Sequence, residues 1–228
     1  MISTVDNNME ISLTAPSEHS IYDHCQIASI DAEFQLRTCE RLNLQFFKPN
    51  KRIQTNKSQR AACRSLEKAI LTQTGKTHVL ICSIAGDGNC LFRALSQAVT
   101  GSQDQHLLFR AYIVNHMLDS TVKNAMKQLF VHKKDQNCTF ENYLINMERP
   151  GVWGTEQEIA SAASLLQCSI ICHSKYSSNR KFCLQHFPPH FVSSSACNST
   201  CLHPSIYIVN TSGTHYETAV VTQNACKT

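Results

Sequence analysis

The order of hydrophobic and polar positions predicts a domain in which helices and strands alternate. Apolar residues recur three and four positions apart in six segments, which is typical of helices packed on one face. These helices are 58–70, 90–99, a long helix from Ser102 to Met117, 121–131, 140–147 and a helix from Thr155 to Leu166. Short apolar runs predict strands at 78–84, 169–172, 206–209 and 216–221. Because strands alternate with helices early and cluster late, the pattern predicts an α/β or α+β domain with a mixed sheet.

Two of the predicted helices begin with a capping-box pattern, a hydroxyl residue followed three positions later by Glu or Gln. The first is Ser102-x-x-Gln105, directly after the Gly101 that should end the preceding helix. The second is Thr155-x-x-Glu158. Both patterns predict where a helix starts.

The periodicity also divides the chain. Residues 1–45 have no sustained period and are predicted to be a mobile lead, and 46–78 a short basic helical lead-in. The main domain is predicted at 79–222, with a tail at 223–228. Within the domain, 174–204 is rich in Pro and Ser and is predicted to be a loop that covers a surface near the site.

Composition and charge exclude several classes of protein. The chain has 228 residues, of which 42% are hydrophobic and 17% charged, so a packed core is expected and a wholly disordered protein is excluded. The net charge of +4 is too small to indicate a nucleic-acid partner by itself. Between 37 and 64 the only acidic residue is Glu40, among eight Lys and Arg. We interpret this basic arm as a solvated surface, with contact to nucleic acid or to an acidic partner as the alternative.

The chain is expected to work in the cytosol or nucleus, without a membrane. Asp6 and Glu10 stand where a basic and then apolar leader would be needed, and no stretch is apolar enough to span a bilayer. In that compartment the twelve cysteines are expected to be free thiols. Two CxxxC pairs, Cys168/Cys172 and Cys197/Cys201, leave a zinc site open as an alternative, although we predict neither metal nor cofactor.

The segment Gly86-Asp87-Gly88-Asn89-Cys90 leads directly into a predicted helix and has the features of a nucleophile turn. A helix N-terminus carries partial positive charge and unpaired N–H groups, which favour a cysteine thiolate. The same N–H groups, with those of Gly88 and Asn89, can face the oxyanion of a tetrahedral intermediate. A structural cysteine after a glycine turn is the alternative for Cys90.

His215 is the best candidate for the base that a cysteine nucleophile needs. It follows the turn 210–213 and starts the last strand, with Glu217 two residues later. Since residues two apart in a strand share a face, Glu217 could orient the His215 ring by accepting an N–H bond. A surface histidine at a strand start is the alternative.

Three motifs together, GDGNCLFRAL, WGTEQEIASAA and HYETAVV, resemble the OTU (ovarian tumour) family of cysteine proteases over about 79–222. The resemblance implies an OTU-like cysteine protease fold, a small mixed sheet packed between helices. It also implies that Cys90 is the nucleophile, His215 the general base, and Asp87 an active-site acid that fixes the oxyanion loop. Glu217 stands where the family usually has Asp or Asn, and its extra methylene is a departure that leaves open how firmly His215 is held.

A second block of the resemblance is interpreted as structural support. Trp153, Glu156, Glu158 and Ile159 match a family block that we expect to pack one helix under the site. For Trp153 the prediction is an aromatic residue of the core or the rim.

The family cleaves ubiquitin from proteins and from ubiquitin chains. The resemblance therefore implies a deubiquitinase that needs no cofactor, with ubiquitin, polyubiquitin and ubiquitinated proteins as partners. Two other interpretations remain open. The chain could be a weak or inactive OTU-like ubiquitin-binding module, and it could be a relative of the OTU-like domains found in viral and retroelement polyproteins.

Overall fold

A computed structural model of the chain describes residues 27–48, 59–74, 77–131, 138–175, 182–189, 203–210 and 213–223. The helices of these ranges are α1 (Ala32–Arg41), α2 (Gln59–Thr74), α3 (Cys90–Thr100), α4 (His106–Leu118), α5 (Lys123–Val131), α6 (Phe140–Met147) and α7 (Glu156–Leu166). The strands are β1 (Ile27–Ser29), β2 (Thr77–Cys82), β3 (Ser169–Lys175), β4 (Phe182–Phe187), β5 (His203–Asn210) and β6 (Tyr216–Gln223).

The strands form one mixed sheet. Their order is β2-β6-β5-β3-β4, with β1 beside the beginning of β5. β5 runs parallel to β3 and to β1, whereas the pairs β2/β6, β5/β6 and β3/β4 are antiparallel. Helix α2 packs on one face of the sheet, and α3, α4 and α7 share the core on the other face. The predicted mixed sheet between helices is confirmed.

The central strand β5 shows how the sequence builds two cores at once. Ile206 and Ile208 point into the larger core with α3 and α7, and Tyr207 and Val209 point into the smaller core under α2. This alternation follows from the period of two in a strand. A strand buried on both faces has no polar face, which is why β5 reads as a continuous apolar run.

The prediction of a mobile lead at 1–45 is corrected for its described part. Helix α1 buries Phe34 and Cys39 in the larger core, Leu44 follows them, and β1 pairs with β5. The segment is too short to show a sustained period, and it is held by residues far along the chain. Residues 1–26 lie outside the described residues. The predicted lead-in helix is likewise part of the core, because α2 packs Ala62 and Leu66 against the sheet.

Two further local predictions differ from the structure. Strand β4 lies inside the predicted loop 174–204, where it pairs with β3 as an edge strand; 176–181 and 190–202 are outside the described residues. The Ser102–Gln105 capping box does not form, because the Gln105 side chain exchanges two hydrogen bonds with the backbone of Gln45 instead. The Thr155–Glu158 box does form.

The antiparallel β2/β6 pair places the end of β2 beside the beginning of β6. Cys82 pairs with Thr218, and the Thr218 hydroxyl donates to the Ala94 carbonyl of α3 at 2.6 Å. The segment 83–89, which joins β2 to α3, therefore lies next to the residues that precede β6. None of the described helices is both long and apolar enough to cross a membrane.

Candidate active site

Cys90 is the first residue of α3 and its side chain reaches an open cleft. The residue is 7% exposed, and its Sγ lies 4.0 Å from the carbonyl oxygen of Thr214. The N-cap residue Asn89 does not cap the helix with its side chain, so the first N–H groups of α3 receive no side-chain cap from it. This is the predicted position for a thiolate and for oxyanion donors.

The turn before Cys90 is braced by an ion pair. Arg93, one turn into α3, donates from Nε to both carboxylate oxygens of Asp87 at 3.1 Å and from Nη2 to Oδ2 at 2.6 Å. The carboxylate also accepts from the backbone N–H of Asn89 at 3.1 Å. The guanidinium of Arg93 holds the pKa of Asp87 well below its usual range. An acid that stays ionised and bonded in this way fixes the turn, and the active-site role of Asp87 stays a prediction.

Gly88 brings the turn against a second loop. Its φ is +83°, and a Cβ built there would lie 2.3 Å from the carbonyl oxygen of Gly151. Any side chain would collide with that backbone, so the turn and the loop at 149–153 can meet only through a glycine. On the same side, the backbone N–H of Gly151 donates to Asn89 Oδ1 at 2.8 Å.

His215 lies beside the same turn. A Cβ built on Gly86 would be 3.8 Å from Cε1 and 3.9 Å from Nδ1 of the His215 ring. The preceding residue Thr214 contacts the Cys90 sulfur through its carbonyl oxygen. The fold thus brings residues 86–90 and 214–215 together, although they are more than 120 positions apart in the sequence.

Glu217 has a different partner from the one predicted. Among the described residues its Oε1 accepts a 2.6 Å hydrogen bond from Gln59 Nε2, and not one from His215. Glu217 is buried on the α2 side of β6, where Gln59 is the first residue of α2. His215 stands before the strand begins, so strand alternation does not force its ring onto the same face. Gln59 also donates to Ser83 Oγ at 3.0 Å.

Trp153 and Glu158, both predicted as structural support, occupy different environments. Trp153 is 58% exposed at the rim of the cleft, so of the two predicted places it takes the rim and does not pack under α7. Glu158 is fully buried and accepts from Tyr143 Oη at 2.6 Å and from the Thr155 N–H at 2.7 Å. Burial raises the pKa of Glu158, and these hydrogen bonds oppose that rise. Of the other residues in the matched block, Glu156 is the first residue of α7 and Ile159 is buried in the larger core.

The cleft is a pocket of about 250 Å³ beside Cys90. Its lining consists of Cys90, Trp153, Gly154, Thr155, Glu156, Gly213, Thr214 and Tyr216. Three segments distant in sequence therefore form it: the start of α3, the loop before α7 and the turn before β6.

The cysteines of the described residues are free thiols, and no group of three or more His, Cys, Asp or Glu in those residues could hold a metal. Cys168 is buried directly before β3 and Cys172 is buried within it, and burial raises the pKa of each thiol to about 12. Thiols in that state are core residues and not ligands. Cys197 and Cys201 lie outside the described residues.

Sequence reasoning missed two buried polar residues of the site. Gln59 reaches Glu217 from outside the predicted domain, and Arg110 of α4 donates to Asn89 Oδ1 at 2.9 Å. Nothing in the sequence indicates which distant residue a polar side chain of a helix will contact. Only the tertiary contacts identify either residue.

We expect replacement of Asp87 by Asn to lower the melting temperature by about 2–4 °C at neutral pH, because a well-aligned exposed ion pair contributes at most about 1 kcal/mol. Since the folded-state pKa of Asp87 lies below its ordinary 3.8, the contribution is present above that pH and is lost progressively as the pH falls from there through the folded-state pKa, so the difference should be smaller at about pH 3. Thermal unfolding of both proteins at neutral pH and at about pH 3 tests this. A difference that stayed constant at low pH would contradict the assignment.

A matched control for this experiment is Glu33→Gln, which removes a single exposed contact to Arg37 within α1. One contact between two exposed side chains should change the melting temperature by less than about 1 °C.

Comparison with known proteins identifies the fold and the family. The sequence profile of the family described as OTU-like cysteine protease matches residues 85–216. The structure of the OTU domain of OTUD1 superposes with a TM-score of 0.51 over 72% of this chain and 97% of that domain, at 20% identity. At that identity the likeness concerns the fold.

Two curated relatives match shorter segments. OVARIAN TUMOR DOMAIN-containing deubiquitinating enzyme 7 of Arabidopsis thaliana is 35% identical over 92 residues, 40% of this chain and 23% of that protein. OTU domain-containing protein 3 of Mus musculus is 28% identical over 90 residues, 40% of this chain and 21% of that protein. The chain thus matches less than a quarter of either relative's length. The profile, in contrast, spans more than half of this chain, from the turn before Cys90 to the residue after His215, and on that ground the chain belongs to the OTU-like cysteine proteases.

Proposed function

We propose that this chain is a cysteine deubiquitinase that hydrolyses the peptide or isopeptide bond after the C-terminal glycine of ubiquitin. The observation that carries the proposal is that the Cys90 helix start and the 86–89 turn lie against residues 214–215, with Cys90 and Thr214 both lining one open cleft. Membership of the OTU-like cysteine proteases supports the reaction class. The name of the Arabidopsis relative, a deubiquitinating enzyme, supports the substrate.

In the first half of the proposed reaction the Cys90 thiolate attacks the carbonyl carbon of the ubiquitin glycine. Negative charge moves to the carbonyl oxygen. Because the Asn89 N–H is bonded to Asp87, the N–H groups of Gly88 and Cys90 are the donors of the turn that remain for it. As the tetrahedral intermediate collapses, the bond to the lysine nitrogen breaks. His215, protonated while Cys90 is a thiolate, gives its proton to the departing amine and leaves a thioester on Cys90.

In the second half His215, now neutral, takes a proton from water as the water oxygen attacks the thioester carbonyl. A second tetrahedral intermediate forms, and the bond to sulfur breaks. Cys90 returns as the thiolate beside the protonated His215, and ubiquitin leaves as a carboxylic acid that loses its remaining proton to the solvent.

The shape of the cleft is suited to an extended peptide tail. Gly154 and Gly213 line it without side chains, and Trp153 stands at its rim. A chain of small residues, such as the glycine-rich end expected of the substrate, could lie between these walls with its carbonyl at Cys90. We propose ubiquitin, polyubiquitin and ubiquitinated proteins as partners, in the cytosol or nucleus.

A second candidate function is ubiquitin binding with weak or no hydrolysis. The observation in its favour is the hydrogen bond from Gln59 to Glu217, which occupies the carboxylate that was expected to orient His215. A binding module would capture ubiquitin without releasing product, so turnover distinguishes the two.

The test is reaction with ubiquitin that carries an electrophile in place of its C-terminal carboxylate, followed by intact mass measurement. We expect the wild type to gain the mass of one ubiquitin and Cys90→Ala to gain none, because the adduct forms on the Cys90 sulfur. The matched control is Cys138→Ala, which removes a partly exposed thiol outside the cleft and should react as the wild type does.

Hydrolysis of a fluorogenic ubiquitin amide by the same proteins completes the test. Labelling with multiple turnovers supports the deubiquitinase, whereas labelling without turnover supports the binding module. A folded wild type that formed no adduct would exclude ubiquitin as the substrate of this site.

A further inference from the structure

Arg110 of α4 is a buried charge at the back of the candidate site. The residue is 1% exposed, and its guanidinium stacks on the Phe92 ring at 3.9 Å from the ring centre. Burying a cation is costly unless its donors are satisfied. Nη1 donates to the Met147 carbonyl at 2.8 Å, and Nη2 donates to the Val152 carbonyl at 2.7 Å and to Asn89 Oδ1 at 2.9 Å.

The charge on Arg110 persists at neutral pH. Burial lowers its pKa to about 10, and the charges of Glu158, Asp87 and Cys90 raise it. In the described residues, no carboxylate forms an ion pair with Arg110, and these three oxygen acceptors are neutral. The charged guanidinium of Arg110 therefore donates its hydrogen bonds to neutral oxygens. Because hydrogen bonds from a charged donor are stronger than those between neutral groups, Arg110 holds these oxygens firmly.

The three oxygens belong to two segments that each end in a residue lining the cleft, Cys90 and Trp153, and these segments are called its two walls. Asn89 directly precedes the nucleophile Cys90, and its Oδ1 accepts from both Arg110 and the Gly151 N–H. Val152 directly precedes Trp153 at the rim. One guanidinium therefore joins the turn 86–90 to the segment 147–153, which is the end of α6 and the loop that follows it, and fixes the distance between them.

We propose that Arg110 is a positioning residue for the hydrolysis, acting through Asn89 and the segment 147–153. It is too deeply buried to touch a substrate, and its effect is on where the N–H groups of Gly88 and Cys90 point. The inference rests on the proposed function for its kinetic consequence, while its structural consequence can be measured without ubiquitin.

The kinetic consequence concerns kcat. Oxyanion donors act more strongly in the transition state than in the ground state, so displacing them lowers kcat and leaves KM nearly unchanged. Arg110→Lys is the informative variant, because an ammonium keeps the charge but cannot reproduce a planar fork that bonds several fixed oxygens. We expect its kcat on a fluorogenic ubiquitin amide to fall about 10- to 100-fold, with KM changed less than about threefold.

Three comparisons make the experiment specific. Asn89→Ala removes the acceptor and leaves the other Arg110 bonds in place, and it should lower kcat to a similar extent. The double variant should be no slower than the slower single variant if Arg110 acts through Asn89. The control is Arg41→Lys, in which an exposed arginine that donates to the Leu165 carbonyl is changed far from the cleft, with no expected loss.

Two readouts separate positioning from general damage. Alkylation of Cys90 by iodoacetamide passes through no oxyanion, so its rate should stay within about threefold of the wild type in Arg110→Lys. Backbone hydrogen exchange should become faster in 87–90 and 149–153 together, with β5 unchanged. If Arg110→Lys does not fold, Asn89→Ala decides the matter by the same measurements.

Several results would overturn the proposal. These are an unchanged kcat in Asn89→Ala, additive losses in the double variant, equal losses of hydrolysis and alkylation, and unchanged exchange in either segment. If the wild type does not hydrolyse ubiquitin amide, the proposed function fails, and the exchange measurement alone decides whether Arg110 couples the two walls.

Discussion

Replacing His215 with alanine should lower kcat/KM for a ubiquitin amide at least about a thousandfold. The leaving amine needs a proton to depart, and the water of the second step needs a base. Among the described residues, His215 is the histidine whose ring lies beside the Gly86 turn that leads to Cys90. The measurement is steady-state hydrolysis, with melting temperature as the check on folding.

The same experiment on Glu217 distinguishes the structure from the sequence prediction. A carboxylate that directly orients His215 should make Glu217→Gln nearly as damaging as His215→Ala. In the structure Glu217 Oε1 instead accepts a hydrogen bond from Gln59. The side-chain carbonyl oxygen of a glutamine at this position could accept the same bond. We therefore expect Glu217→Gln to lose less than about tenfold in kcat/KM. A loss that equalled that of His215→Ala would show that the carboxylate acts on the histidine during the reaction.

The parts of the site that the sequence predicted depend on local signals. A cysteine after a glycine turn, followed by Leu91 and Leu95 at helical spacing, is sufficient to place Cys90 at the start of α3. The Thr155–Glu158 capping box is also local, since both partners lie within one helical turn. Each of these predictions needs no information from elsewhere in the chain.

The parts that sequence could not predict depend on partners distant along the chain. The Ser102–Gln105 pattern is as good a capping box by its letters, yet Gln105 bonds to the backbone of Gln45, 60 residues away. Gln59 and Glu217 are 158 residues apart in the sequence. Arg110 bonds to one residue that precedes its helix in the sequence, Asn89, and to another that follows it, Val152. Strand β4 was missed because it lies between segments rich in Ser and Pro, and in the described residues it is its pairing with β3 that defines it.

A glycine series tests how the two walls of the cleft meet. Gly88, Gly151 and Gly213 have φ values of +83°, +83° and +80°, so alanine at any of them costs about 1–2 kcal/mol of conformational strain. They differ in what a Cβ would contact. At Gly151 the nearest atom is the Asp87 carbonyl oxygen at 3.9 Å, and at Gly213 no non-neighbouring atom of the described residues lies within 4 Å. Both should therefore lose only the strain energy, a fall of about 2–8 °C in melting temperature.

Gly88→Ala should cost more, because its Cβ would lie 2.3 Å from the carbonyl oxygen of Gly151, and backbone must move to admit it. We expect a loss of about 3 kcal/mol or more, which lowers the melting temperature by about 6–12 °C. The movement also displaces Asn89 and the oxyanion donors, so kcat should fall about 100-fold in the protein that remains folded. Equal melting temperatures for Gly88→Ala and Gly151→Ala would mean that the nucleophile turn does not press on the loop at 149–153. The coupling of the two walls would then rest on Arg110 and Asn89 alone.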